Sequence, residues 1–302
     1  MESSPTRKDP LVLLNPAANR GNMQRHRELA RKKAMEERAE YIETSRAGEA
    51  GELARQAAGE GRPLIIVGGD GSVHEVVNGL LAAGWRVPLG IVAAGAGNDF
   101  AWNTLRLPRD PVAALERAFH GTLTDVDAGR VNERYFANAF SVGLDADIAE
   151  AAHRLKSWPL MSGSRLYYSA ALKQLLSGYH RCPWLAFKLD ECEWMEVSRY
   201  VLLAVSNGPT YGGGFRINPT ADHTDGWLNI CAIDYTPLLR ALQLLPVVRR
   251  GEHRNVPEVL FFQAKKVQIK GQSTMNVQMD GETTCAQEYR AEVLPGALWV
   301  RV

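Results

Sequence analysis

The 302-residue sequence predicts an open α/β layer with a mainly parallel sheet, followed by a β-rich second domain. Three observations predict it. Apolar runs without alternation, such as Leu64-Ile65-Ile66-Val67, suit strands buried on two faces. Up to His120 such runs alternate with segments of helical period. Near Asp125 the pattern changes to many short strands separated by turn chemistry.

Residues 1–10 are polar and read as a frayed start. Leu11 to Leu14 is a short buried strand that runs into the polar turn Asn15 to Gly21. The charge-rich stretch Gln24 to Ala39 predicts an exposed helix. Tyr41 to Thr44 is the next strand and Gly48 to Ala58 the next helix. Leu64 to Val67 then meets Gly68-Gly69-Asp70-Gly71-Ser72, after which Val73, Val76, Val77 and Leu80 recur at helical spacing. Pro88 to Val92 is a strand ending in a second glycine turn, Ala93 to Phe100. Asp110 to His120 is a helix with Pro111 at its first position. Further strands are expected at Tyr135–Asn138, Leu185–Leu189, Tyr200–Val205, Leu228–Ile233, Lys266–Lys270 and Met275–Met279. A helical insert is expected near Ser164 to Leu176, and an apolar helix over Leu238 to Arg249, broken or kinked by Pro246.

Composition narrows the function classes. Hydrophobic residues are 45% and charged residues 23%, as in soluble globular proteins. A net charge of +1 gives no basic excess for nucleic acid. Four cysteines without a C-x-x-C pair give neither a zinc site nor a disulfide framework. No apolar run reaches membrane-spanning length, and the polar start is not a signal peptide. A cytoplasmic setting is expected.

Chemistry is expected at the glycine turns. A glycine turn between strand and helix lets backbone N–H groups approach a phosphate at the positive end of the helix. Gly68 to Ser72 has this form, with Asp70 placed to hold a metal or orient the loop; the alternative is a tight turn in which Ser72 or Asp70 caps the helix. In open α/β sheets ligands bind outside the carboxyl ends of the strands, so parallel strands would present both turns to one crevice. The P-loop pattern, the kinase H-R-D and D-F-G sets and a dinucleotide G-x-G-x-x-G are absent.

These residues resemble the diacylglycerol kinase catalytic superfamily, which includes bacterial lipid kinases and sphingosine kinases. Gly68-Gly69-Asp70-Gly71-Ser72 looks like its nucleotide loop, a loop shared with NAD kinases and phosphofructokinases. Asn15-Pro16 resembles its first motif, and Gly95-Ala96-Gly97-Asn98-Asp99-Phe100-Ala101 its second glycine turn. Asn138 to Ala146 (NAFSVGLDA), Asn207 with Gly212 to Gly226, and Asp280-Gly281-Glu282 resemble three later motifs, all in the family's order. The departures are Ala17, Ala18 and Asn19 in the first turn, Ala93, Ala96 in place of a threonine, and Thr224 in place of an acid. The change at Ala96 removes one hydrogen bond, worth about 0.5–1.5 kcal/mol.

The resemblance implies an α/β nucleotide-binding domain over residues 10–126 and 289–302, a β-sandwich lipid domain over 127–288, and a cleft between them. It implies ATP and Mg²⁺ as cofactors. The nucleotide-site residues would be Asn15, Arg20, Thr44, Gly68, Gly69, Asp70, Gly71, Ser72, His74, Glu75, Ala96, Asn98, Asp99, Asp127 and Glu282. Asp70, Asp99, Asp127 and Glu282 are oxygen donors suited to Mg²⁺. Alternatives stay open: Thr44 as a strand-end cap, Asp127 as a turn residue with Asp125 as rival, and His74 and Glu75 as solvated surface. Asp280 is the candidate base for the acceptor alcohol, against a plain Asp-Gly hairpin turn. Asp222, Asp225 and the Trp227 carbonyl would hold a structural Mg²⁺, against a turn with solvated acids.

The implied reaction is transfer of the γ-phosphoryl group of ATP to a lipid hydroxyl. The expected partners are a lipid substrate and a membrane surface touched peripherally, with no nucleic acid; a homodimer is compatible with the sequence. His153 to Met161 and Arg240 to Arg254 mix basic and apolar residues as an interfacial segment does, or else are ordinary packed helices. An NAD-kinase-like enzyme and a non-catalytic descendant are the competing readings.

Overall fold

The computed structural model describes residues 9–155 and 173–302, with the side chains of 152–155, 176 and 177 left out. Most of the expected insert from Ser164 to Leu176 and most of the interfacial segment from His153 to Met161 lie outside the described residues; the end of the insert enters a short helical turn, Gln174–Gly178. The chain divides into two compact units, one of residues 1–128 and 294–302, the other of residues 129–293.

The first unit is built on four parallel strands, β1 (Leu11–Leu14), β2 (Glu40–Glu43), β3 (Leu64–Gly68) and β4 (Pro88–Ala93), in the order β2-β1-β3-β4. β1 and β3 are buried along their whole length, which is why their sequences are apolar without alternation. Helices α1 (Gln24–Glu36), α2 (Glu49–Gly59), α3 (Asp70–Ala83) and α4 (Pro111–His120) connect and cover them. The charged helix expected to Ala39 ends at Glu36. Asp110 caps α4, accepting from Val112 N and Ala113 N at 3.1 Å, with Pro111 in its first turn. The last residues of the chain join this unit: Trp299 and Val300 pair in parallel with Pro88 and Leu89. Their strand, β13 (Glu282–Arg301), and β5 (Leu123–Val131) are the two places where the chain passes from one unit to the other.

The second unit is antiparallel. Its strands are β6 (Arg134–Phe136), β7 (Ala139–Gly143), β8 (Trp184–Leu189), β9 (Ser198–Ser206), β10 (Leu228–Asp234), β11 (Val259–Ala264), β12 (Lys266–Met279) and the first part of β13. β12 pairs with β8 through residues 267–271 and with β7 through residues 277–279, and both partners pair in turn with β9. This double pairing wraps the sheet around a core that includes Phe140, Phe187, Leu203, Ile230, Val267, Val277 and Tyr289. On the other face of β9 and β10, Leu202, Ala204, Cys231 and Ile233 pack with Leu244 and Val248 of α6 (Leu238–Arg250). Pro246 neither breaks nor ends α6. Lys266–Lys270 and Met275–Met279 are one strand, continued through a register shift. Tyr135 to Asn138 is interrupted after Phe136, where the chain turns into β7. α5 (Leu144–Leu155) follows β7 directly.

Candidate active site

In the first unit the strand order reverses between β1 and β3. The connection through α1 leads from β1 to β2 on one side; that through α3 leads from β3 to β4 on the other. The carboxyl ends of strands at such a switch point are where an open α/β sheet binds ligands. Asn15 stands at the end of β1, and Gly69 follows β3.

The two glycine turns and the β1 loop are bonded to one another. Asn15 Nδ2 donates to Ser72 Oγ at 2.8 Å, joining the β1 loop to the first turn of α3. Asn15 Oδ1 accepts from Ala17 N at 2.9 Å and shapes its own loop. A β-carbon placed on Gly95 would stand 2.6 Å from Gly69 Cα, so the turns touch where neither carries a side chain. Asp70 is the first residue of α3, and its Oδ2 accepts from Asn98 N at 2.7 Å. Asn98 is buried and left-handed (φ 57°). Its Oδ1 accepts from Gly95 N at 2.9 Å and its Nδ2 donates to Gly95 O at 2.6 Å, bracing the second turn from within. The cap alternative is corrected: Gly69, in extended conformation, is the N-cap of α3, and no side chain caps it. The helical ladder begins at Val73 N to Gly69 O, so the N–H groups of Asp70, Gly71 and Ser72 precede it.

The neighbouring expected residues divide. Thr44 is buried, and its N–H donates to Leu14 O at 2.9 Å, extending the β1–β2 ladder by one residue. Arg20 is exposed in a tight turn after β1, and Ala96 is exposed in the second glycine turn. His74 is buried beside Asn78, with its Nε2 3.3 Å from Asn78 Nδ2, which corrects the solvated-surface alternative. Glu75 Oε1 accepts from Gly48 N at 2.9 Å, at the start of α2. Asp99 is buried and accepts from Asn103 Nδ2 at 2.7 Å. Asp127 lies inside β5, not in a turn; it is buried and accepts from Gly296 N at 2.7 Å. Its rival Asp125 is exposed, paired with Arg86, and accepts from Trp299 Nε1 at 2.8 Å; the Arg86 guanidinium holds its carboxyl below the usual range.

In the second unit Asp280 and Gly281 form a two-residue hairpin turn between β12 and β13, with Met279 opposite Glu282. Their φ angles are 49° and 94°, the pair of positive values a type I′ turn demands. The Asp280 carboxylate is also a clamp. Its Oδ2 accepts from Ala137 N at 2.7 Å, and its Oδ1 accepts from Asn138 N and Ala139 N, each at 3.0 Å. The segment it clamps is held from behind by Asn207 Nδ2, which donates to Ala137 O at 2.9 Å, and by Asn138 Nδ2, which donates to Thr210 O at 2.8 Å.

Sequence reasoning passed over the residue that braces this turn. Gln278 Oε1 accepts from Gly281 N at 3.0 Å, while its Nε2 donates to Ser141 Oγ at 2.8 Å. Ser141 donates to Asp145 at 2.5 Å, and Tyr211 OH donates to the same oxygen at 3.0 Å. Burial pushes the Asp145 carboxyl above the usual carboxylate range. Gln278 stood in the sequence as one of the polar residues that alternate with Met275, Val277 and Met279 of β12.

In the loop after β9, Asp222 Oδ1 accepts from Thr224 N at 3.0 Å and Thr224 Oγ1 at 2.8 Å, and Asp225 Oδ1 accepts from Trp227 N at 2.9 Å. Both acids are exposed. Among the described residues no three or more His, Cys, Asp and Glu side chains gather as a ready metal cluster.

Residues 9–131 match the family model described as the diacylglycerol kinase catalytic domain, and residues 138–302 match the YegS C-terminal NAD kinase beta sandwich-like domain. Over 244 residues the chain is 33% identical to a diacylglycerol kinase of Mycobacterium tuberculosis, covering 78% of this chain and 75% of that protein. The chain belongs to the diacylglycerol kinase family. It is therefore a lipid kinase, a phosphotransferase with an alcohol acceptor, and its family implies ATP as phosphate donor. A second relative, "Probable lipid kinase YegS-like" of Chromohalobacter salexigens, is 33% identical over 258 residues, covering 83% of this chain and 79% of its own. The fold is that of a Bacillus anthracis diacylglycerol kinase crystal structure, with TM-score 0.72, 20% identity and 97% and 96% of the two chains covered. The relatives give no support to an NAD-kinase-like enzyme.

Proposed function

We propose that this lipid kinase phosphorylates the hydroxyl of a diacylglycerol-like lipid, with Mg²⁺-bound ATP at the paired glycine turns of the first unit. The observation that carries the reading is the bracing of those turns at the sheet's switch point, through Asp70 with Asn98 and Asn15 with Ser72. Phosphoryl transfer asks little covalent chemistry of a protein; it asks for positioned phosphates, neutralised charge and an oriented nucleophile. The N–H groups at Asp70, Gly71 and Ser72 precede the α3 ladder and suit phosphate oxygens. Thr44 and Arg20 follow β2 and β1 at the same carboxyl edge of the sheet. Asp70 and Asp99, with Asp127 of the same unit, would supply the hard oxygen donors that Mg²⁺ takes. Bound there, Mg²⁺ would neutralise charge on the phosphate oxygens.

Asp280 is the proposed proton acceptor for the lipid hydroxyl, and the backbone N–H groups of residues 137–139 fix its orientation. The exposed acids Asp222 and Asp225, with the Trp227 carbonyl, have the donor chemistry of a second, structural Mg²⁺ that keeps several waters. The substrate places the enzyme at a membrane surface. Four free cysteines suit a reducing compartment, in keeping with a cytoplasmic setting.

The test is transfer from labelled ATP, with and without Mg²⁺, to diacylglycerol, a sphingoid base, ceramide, phosphatidylglycerol and NAD. Mg²⁺-dependent label in diacylglycerol is expected. Preferential labelling of NAD would overturn the reading.

A further inference from the structure

Among the described residues no helix is long and apolar enough to cross a membrane. α6 presents a face suited to lying on one. Its inner side is buried through Leu244 and Val248, and Leu238 and Ala241 pack beside Tyr179 and Ile148. Leu239, Leu242 and Leu245 recur every third residue on the outer side, and all three are exposed, Leu239 by 71%.

The net charge around this stripe is positive. From Leu238 to Arg254 there are four arginines and one acid, Glu252. Arg240 is paired with Glu258 and Arg250 with Glu252. Arg249 lies over the Phe215 ring at 5.7 Å, where its charge stays unneutralised, and Arg254 is exposed. An apolar stripe flanked by arginine is the makeup of a helix that lies in a bilayer interface. A protein partner fits less well, because three leucines fall short of the roughly 800 Å² per side of a stable protein interface.

We infer that α6 is the docking face of this enzyme on an anionic bilayer, with Leu239, Leu242 and Leu245 entering the interface and Arg249 and Arg254 meeting lipid phosphates. The inference rests on the reading that the substrate is a membrane lipid.

Its test separates binding from transfer. The full chain is sedimented, without ATP, with vesicles of phosphatidylcholine alone or mixed with phosphatidylglycerol. The triple variant Leu239→Glu, Leu242→Glu, Leu245→Glu alters only exposed positions and should keep its melting temperature. It should lose binding to the mixed vesicles by at least about tenfold. Arg249→Gln with Arg254→Gln should weaken that binding about fivefold per arginine and leave binding to neutral vesicles unchanged. Both variants should phosphorylate a water-dispersed short-chain diacylglycerol as well as wild type. Wild-type vesicle binding by the leucine variant overturns the inference. So does a wild-type dimer that the leucine substitutions dissociate while vesicle binding persists. If wild type phosphorylates no lipid, the functional reading fails, while the vesicle measurements still decide the docking face.

Discussion

As the clamp of residues 137–139 and the proposed base, Asp280 would carry two duties that pull in different directions. A base needs a lone pair for the incoming proton, whereas this carboxylate accepts three backbone N–H groups. Asp280→Asn is expected to lower transfer by at least about 10²-fold, since an amide cannot take the proton. It also turns an N–H group toward residues 137–139, and lost charge-assisted bonds cost about 1–3 kcal/mol. Single-turnover transfer should therefore be measured beside urea unfolding; wild-type transfer would leave Asp280 a clamp only. Asp70→Asn is a cleaner probe, because the new side-chain oxygen still accepts from Asn98 N. It should keep the fold and lose Mg²⁺-dependent transfer, and wild-type turnover would remove Asp70 from the site. Asp145 gives a pH test. Burial raises its folded carboxyl above the unfolded value, so the fold favours the proton. The stability it contributes is complete below the unfolded pKa and is lost as pH rises through the folded one. Asp145→Asn should flatten that fall in urea midpoints taken across the acid-to-neutral range. Asp70 and Asn98 were legible because each sits in a short local pattern. The hydrogen-bond environments of Asp127 and Asp145 were not, since they depend on partners such as Gly296, 169 residues away from Asp127.

At the scale of elements, legibility followed local pattern. β1, β3 and β4 announced themselves as apolar runs, and the Asp110-Pro111 start of α4 as a cap. β5 did not, because its first three residues are not buried and carry Thr124 and Asp125. β13 was hidden by polar residues along most of its first part and by Pro295-Gly296 within it. α6 survives Pro246 because that residue lies on its exposed side, where water can take up the carbonyl the proline leaves without a donor. α2 and α3 pack backbone against backbone, where a β-carbon on Gly79 would lie 2.2 Å from Gly51 O. Gly79→Ala should gain about 1 kcal/mol in helix propensity. Forcing the helices apart should cost about 1–3 kcal/mol. A lower urea midpoint is expected, and an unchanged or higher one would show that the contact can relax.

At the scale of the molecule, the sequence showed where the α/β pattern stops. That the chain returns to the first unit at its end came from family resemblance and not from periodicity. The return is built into the unit's sheet. Leu298 and Val300 are buried, Val300 completely. Thr122 and Val302 exchange two backbone hydrogen bonds, at 3.0 and 2.9 Å. Gly296 N reaches buried Asp127, and Trp299 Nε1 reaches Asp125. Removing residues 294–302 would strip β4 of a neighbour and leave the Asp127 carboxylate buried without the Gly296 donor. A milder change isolates the packing. Leu298→Ala deletes a buried side chain and should cost about 2–5 kcal/mol. β4 ends at Ala93, next to the second glycine turn, so loosening its neighbour should reach the proposed nucleotide loop before it reaches Asp280. The expected result is weaker ATP binding and earlier protease cleavage within residues 88–104, with cleavage within residues 266–282 unchanged. Equal loss in the two regions would mean that the units unfold as one.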